Sequence, residues 1–244
     1  MSLLSNIKKS DNQEVEQDVI YKGGNGPLPT GAYPATIKLA MLKESQAGAL
    51  ALELHMEIQG KTVRETIYFT NRQQETFYTK NGKNFPLPGY TTVNDISLVT
   101  TGSYIEDQDS EEKTVELYDF DAKTEVPKQV NCVTSMHGKT FIAGLYEEQT
   151  FKQAKNEATG KWEDTDELRQ ANTINKVFSE DGFTVQELIA EADEPSFIND
   201  WKENYDGQLI DRTKGKKPKA AKPGLTKPGA GATKPKGSLF GKKK

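Results

Sequence analysis

The chain has 244 residues, 34% hydrophobic and 28% charged, with a net charge of −4, a mean hydropathy of −0.74 and one cysteine. That length suits one good domain plus an accessory segment. A single Cys excludes an internal disulfide and fits a reducing cytosol. No apolar run approaches the ~20 residues of a membrane-spanning helix, and MSLLSNIKKS is too briefly apolar for a signal-peptide core. The expectation is a soluble intracellular protein without membrane attachment.

The mild net charge hides two opposite parts. Residues 213–244 hold eleven Lys and no acid, and taking that +11 from the chain's −4 leaves −15 on residues 1–212. Such asymmetry points to a basic tail for a polyanion.

In chain order, residues 1–24 read as a loose, polar and acidic arm. Gly23–Gly31 is turn-dense and leads to three strands of period two. The first places Tyr33, Ala35, Ile37, Leu39 and Met41 on one face. The second, Leu50–Ile58, carries the cleanest apolar stripe: Leu50, Leu52, Leu54, Met56 and Ile58. The third runs from about Thr62 to Asn71, with Val63, Ile67 and Phe69 inward and Arg64, Thr66, Tyr68 and Thr70 outward. Asn81–Gly82 is a tight-turn signal. One short helix is expected over Thr92–Thr101, an acidic loop over Glu106–Glu112, and an edge strand over Val115–Phe120. Two further strands are expected at about Gln129–Met136 and Lys139–Tyr146, turning at His137–Gly138.

Beyond residue 160 the spacing predicts helices. Asp164 with Glu167 reads as a capping box before Leu168, Ala171, Ile174 and Phe178; Thr184 with Glu187 reads as a second; Pro195 opens a third with Phe197, Ile198 and Trp201. The tail holds only Leu225, Leu239 and Phe240 as large apolar residues, so it is expected to be disordered. The fold class expected is α+β, mainly β: an OB-like antiparallel β-barrel or sheet body with C-terminal helices and a disordered basic tail. The divisions are a flexible arm (1–24), a β-rich nucleic-acid-binding body (25–155), a helical segment (156–210) and the tail (211–244).

Catalytic signals are few. His55 and His137 are not spaced as metal ligands, one Cys makes no zinc cluster, and no phosphate-binding loop or nucleophile elbow occurs. The acidic loop is either solvated or a weak cation holder. The reading is a non-enzyme without cofactor or metal.

Binding signals are stronger. Single-strand binders combine cations that follow phosphate with aromatic faces on which bases stack. Arg64, Tyr68, Arg72, Phe77, Tyr78, Lys80, Lys83 and Tyr90 cluster in sequence with that chemistry. Either they line a nucleic-acid surface, or Phe77, Tyr78 and Phe85 fill a satellite core beside solvated lysines. Tail lysines, Lys214, Lys216, Lys217, Lys219 and Lys222 among them, would add salt-dependent phosphate contacts. Trp162 reads as a packing loop aromatic. The rival to a nucleic-acid reader is an adaptor whose tail holds any polyanion.

The segment LPTGAYPATIKLAMLKESQAGALALELHMEI (Leu28–Ile58) resembles the start of phage-encoded single-stranded-DNA-binding proteins. A Gly-x-Tyr enters the first strand, a KESQAG-type hairpin follows, and a strictly alternating second strand comes next. With the later segments, the chain is similar to the single-stranded-DNA-binding RNA polymerase cofactors of lytic podoviruses. That resemblance implies work in the host cytoplasm on melted middle promoters, recruitment of a phage RNA polymerase, or a role in replication. Cooperative coverage of DNA would favour a homo-oligomer. Many single-strand binders end in an acidic tail with a terminal Phe; here Phe240 is followed by Gly-Lys-Lys-Lys, which points to direct DNA contact.

Overall fold

The computed structural model describes residues 26–119, 122–157 and 160–215. The expectations for the N-terminal arm and for Lys216, Lys217, Lys219 and Lys222 lie outside these residues.

The Leu50–Ile58 stripe forms the centre of the sheet because it can bury every second side chain. In strand β2 (Leu50–Ile58), Leu52, Leu54, Met56 and Ile58 are fully buried. β2 pairs antiparallel with β1 (Gly31–Glu44) and β3 (Lys61–Tyr68). The first strand departs from the expected face. Ile37 pairs with Met56 and Leu39 with His55, so Lys38 is an extra residue, a β-bulge. The bulge reverses the phase of the alternation. Ala35, Ile37 and Ala40 therefore face the main core, while Leu39 and Met41 face a second cluster with Cys132.

After β3 comes a separate two-stranded hairpin, β4 (Phe77–Lys80) and β5 (Lys83–Pro86). Helix α1 (Pro88–Thr101) follows, four residues longer at its start than expected because Pro88 suits the first turn. Its Val93 and Ile96 are buried against the main core. A Cβ at Gly89 would run into the Tyr68 carbonyl, so only glycine lets α1 sit this close to the end of β3. A second hairpin, β6 (Glu111–Asp119) and β7 (Thr124–Cys132), joins the sheet where Met41 and Leu42 of β1 meet Cys132 and Asn131. Thr134–Met136 forms a 3-10 turn instead of continuing the strand.

β8 (Thr140–Lys155) pairs with β1 and, along most of its length, with β9 (Trp162–Phe178). β9 replaces the first predicted C-terminal helix. Leu168, Ala171 and Ile174 lie three apart along an unbroken ladder, so they alternate faces, and Leu168 is exposed while Ile174 is buried. The unpaired Asn175 then breaks period two, so Val177 joins Ile174 on the main core. The sequence-based boundary at 155/156 falls in the turn of this hairpin, and Trp162 lies on a strand, not in a loop.

The other two C-terminal helices form. α2 (Val185–Ile189) has the predicted capping box, and α3 (Phe197–Tyr205) buries Ile198 and Trp201. One carboxylate starts both: Glu187 accepts N–H groups from Thr184, Ser196 and Phe197 at 2.8, 2.9 and 2.9 Å. β10 (Leu209–Asp211) then runs parallel to β8.

The described fold is thus mainly β, with antiparallel sheets and a few helices, and it is not a closed barrel. The strands curl so that β3 and β9 approach without a backbone ladder. The Glu65 carboxylate crosses the gap and accepts the Ile174 N–H at 2.8 Å, and burial in this seam pushes its pKa up to about 7. No helix among the described residues is long and apolar enough to cross a membrane.

Candidate nucleic-acid interface

The outer face of β3 follows from its alternation. Arg64, Thr66 and Tyr68 stand opposite His55, Glu53 and Ala51 of β2. Arg64 is exposed, and the Tyr68 ring is 54% exposed. The one acid between them is internally compensated. Glu53 accepts hydrogen bonds from His55 Nε2 at 2.9 Å and Thr66 Oγ1 at 3.2 Å, and pairs with Lys43. The His55 bond, then Lys43 and Thr66, outweigh burial and hold its pKa down to about 2. Thr70 does not extend the exposed row. The strand ends at Tyr68, and Thr70 is buried, accepting the Leu50 N–H through Oγ1 at 2.8 Å.

The β4–β5 hairpin forms a two-stranded sheet of its own. Asn81 (φ 53°) and Gly82 (φ 72°) make its two-residue turn, as positive φ at both positions demands. Tyr78 pairs with Phe85 and Lys80 with Lys83, so period two puts all four on one face. The two rings stack with centroids 5.7 Å apart and 27° between planes, yet remain 45% and 39% exposed. They do not fill a satellite core. Two lysines directly opposite each other repel unless an anion lies between or above them. The opposite face holds Phe77, half-buried, against Pro86, and a Thr79–Asn84 hydrogen bond of 2.8 Å. Phe77 is therefore turned away from the stacked pair.

The hairpin's roots are fixed. Asn71 Oδ1 accepts the N–H groups of Gln73 and Glu75 at 2.9 Å, and the Leu87 N–H reaches Thr76 O at 2.9 Å. Arg72 is exposed in this root, where Gly48 (φ 90°) lets the β1–β2 turn approach its carbonyl. Tyr90 belongs to the fold instead. Its ring packs on the main core and its hydroxyl donates to Glu106 at 2.9 Å; burial and that bond raise its pKa to about 12. Lys214 is exposed just beyond β10.

The expected residues thus lie exposed in two places, Arg64 and Tyr68 on the outer face of β3, and Tyr78, Lys80 and Lys83 on one face of the hairpin with Arg72 in its root, while Phe77 lies behind and Tyr90 is withdrawn. Among the described residues Arg64, Arg72, Lys80 and Lys83 form no ion pair. The sequence reading passed over Lys61 and Arg169. Both line, with Arg64, a depression of about 550 Å³ at one end of the β3–β9 seam. A second depression, about 430 Å³, lies where Tyr68, Pro88, Tyr146 and Arg212 meet. No spacing signal could have joined Arg169 to Arg64, because the pairing of β9 with β8 creates the proximity.

No protein-family model matches this chain, and no curated protein matches it significantly.

Proposed function

We propose that this protein binds single-stranded DNA on an OB-like body, serving phage transcription as an RNA polymerase cofactor or serving replication. One observation carries the binding reading. The β4–β5 hairpin presents a stacked, half-exposed Tyr78–Phe85 pair beside Lys80 and Lys83, and Phe77–Pro86 contains no acid. Aromatic faces for bases plus cations for phosphate are what sequence-tolerant single-strand binding requires. The order β9–β8–β1–β2–β3, with α1 between β3 and β8, supports the OB-like reading, in which ligands cross the second and third strands. The transcription role rests on the resemblance of Leu28–Ile58, taken with the later segments and the tail, alone. The reading needs no catalytic group, metal or cofactor, and self-association on DNA belongs to the same proposal.

The test is fluorescence anisotropy of the intact protein and a 1–212 truncation with matched single- and double-stranded oligonucleotides at two salt concentrations. A truncation that still prefers single strands supports the reading. If the truncation binds nothing, or the intact chain treats both forms alike, the tail is a polyanion hook and the adaptor reading replaces this one.

A further inference from the structure

We infer that the distal β8–β9 arm is a second contact for the DNA strand, with Trp162 as its stacking platform and Arg169 and Arg212 as its phosphate contacts. This rests on the single-strand reading above and adds to it a path across the molecule.

Beyond Gln149 the two strands project as a ribbon whose residues are mostly exposed. A depression of about 650 Å³ lies on this ribbon, lined by Phe151, Gln153, Trp162, Asp164, Arg169 and Arg212. Trp162 is 66% exposed there, with Lys155 directly opposite in register. An indole left in water on a two-stranded ribbon contributes little to a core, so its burial is available to a ligand. The acid in the depression, Asp164, already accepts Gln153 Nε2 at 3.1 Å.

Continuity with the first site comes from shared arginines. Arg169 lines both this depression and the one that Arg64 reaches; Arg212 lines both this depression and the one that Tyr68 reaches. Three of the chain's four Arg, at 64, 169 and 212, therefore edge three depressions that share an arginine pairwise. Glu148 steadies Arg212 through Nη2 at 2.8 Å and Nε at 3.1 Å. That pair does not exhaust the guanidinium's donors, so a phosphate can be bound as well. A strand stacked on Tyr78–Phe85 and passing Tyr68 would follow the seam to Trp162.

The chain has two tryptophans, and Trp201 is buried with its Nε1 bonded to Asn175 Oδ1. Quenching of indole fluorescence by DNA therefore reports Trp162, and residual emission from Trp201 reports folding. The experiment titrates full-length protein with dT oligonucleotides of increasing length, following anisotropy of the labelled DNA and indole emission together. Quenching is expected only with oligonucleotides long enough to cross the seam. W162A should weaken binding of those by roughly five- to a hundredfold, the cost of one lost stack, and leave short ones unaffected. R169Q should lower the salt slope by about 0.7. Binding without quenching, or W162A at wild-type affinity for every length, overturns the arm contact and leaves the hairpin reading standing. An absence of anisotropy change with any oligonucleotide overturns both.

Discussion

Two hairpins flank α1 in sequence, and they are built alike but anchored differently. β6–β7 is acid-rich, with Glu111, Glu112, Glu116, Asp119 and Glu125. Lys113 and Lys128 are paired to Glu111 and Asp119 at 3.2 and 2.9 Å. Val115, Leu117 and Val130 of one face, with Cys132 at the end of β7, pack against Leu39 and Met41 of β1, and its last residues pair with β1. β4–β5 carries no acid, joins no other strand, and leaves its aromatic pair half in water. The same motif is thus packed against the body in one place and left open to solvent in the other. What separates them is whether the apolar face has a partner within the chain.

The largest expected effect breaks the anchored side. Met41 is buried beneath β6–β7, and M41A should cost about 2–5 kcal/mol of unfolding free energy. Urea melts would show it, while single-strand affinity measured well below the transition stays at the wild-type value. The converse is expected of the open side. Y78A with F85A should lose roughly 1–3 kcal/mol of binding for each base no longer stacked, with an unchanged urea midpoint. A midpoint that falls as far as it does for M41A would mean that these rings are core, and the contrast between the hairpins would vanish.

Much of the anchored architecture was legible in the sequence. Leu50–Ile58 alternates without interruption because β2 is central and regular, and the Thr184–Glu187 capping box is a local device needing no tertiary information. Bulges account for part of what was misread. At Lys38 and at Asn175 the ladder takes one extra residue, and each shifts the face that follows. A pattern reader sees Leu39 and Met41 on the wrong face, and reads Leu168, Ala171, Ile174 and Phe178 as helix, although the first three alternate faces along a regular ladder. The basic and aromatic hairpin could be read as chemistry, since Asn81–Gly82 fixes its register. The meeting of Arg64 with Arg169 could not, because residues more than a hundred apart meet only once the sheet curls. Tyr90 was misplaced for the same reason: Glu106, its partner, approaches only after α1 has formed.

A smaller effect concerns the seam between β3 and β9. Glu65 holds a proton more tightly in the folded chain (to about pH 7) than at its ordinary pKa of 4.5. Below pH 4.5 both folded and unfolded chains carry the proton, and this contribution to stability is fully present. As pH rises from 4.5 to 7 only the folded chain retains it, so the contribution is lost over that window. E65Q keeps an acceptor for the Ile174 N–H and cannot ionise. Its stability should be flat across this window and should exceed wild type at pH 8 by on the order of 1–2 kcal/mol. Thermal melts at pH 5 and pH 8 check it. If wild type and E65Q fall in parallel between those values, the seam does not hold a shifted carboxyl.

The smallest effect sharpens the comparison most, because it separates charge from stacking on one face. Lys80 and Lys83 oppose each other across the β4–β5 turn, a placement that costs stability in the free protein and is relieved by phosphate. K80Q should therefore raise the melting temperature slightly or leave it unchanged, while lowering the slope of log affinity against log salt by about 0.7, one single-strand phosphate contact. K83Q should behave alike, and the double variant should lower the slope by about twice that amount. Lys113 of β6–β7 is the control: it is exposed and paired to Glu111, so K113Q should leave the slope where it was. Equal slopes for K80Q, K83Q and K113Q would show that the ligand senses only overall charge. A fall confined to the first two would place a phosphate at the hairpin itself, beside the rings that stack the base.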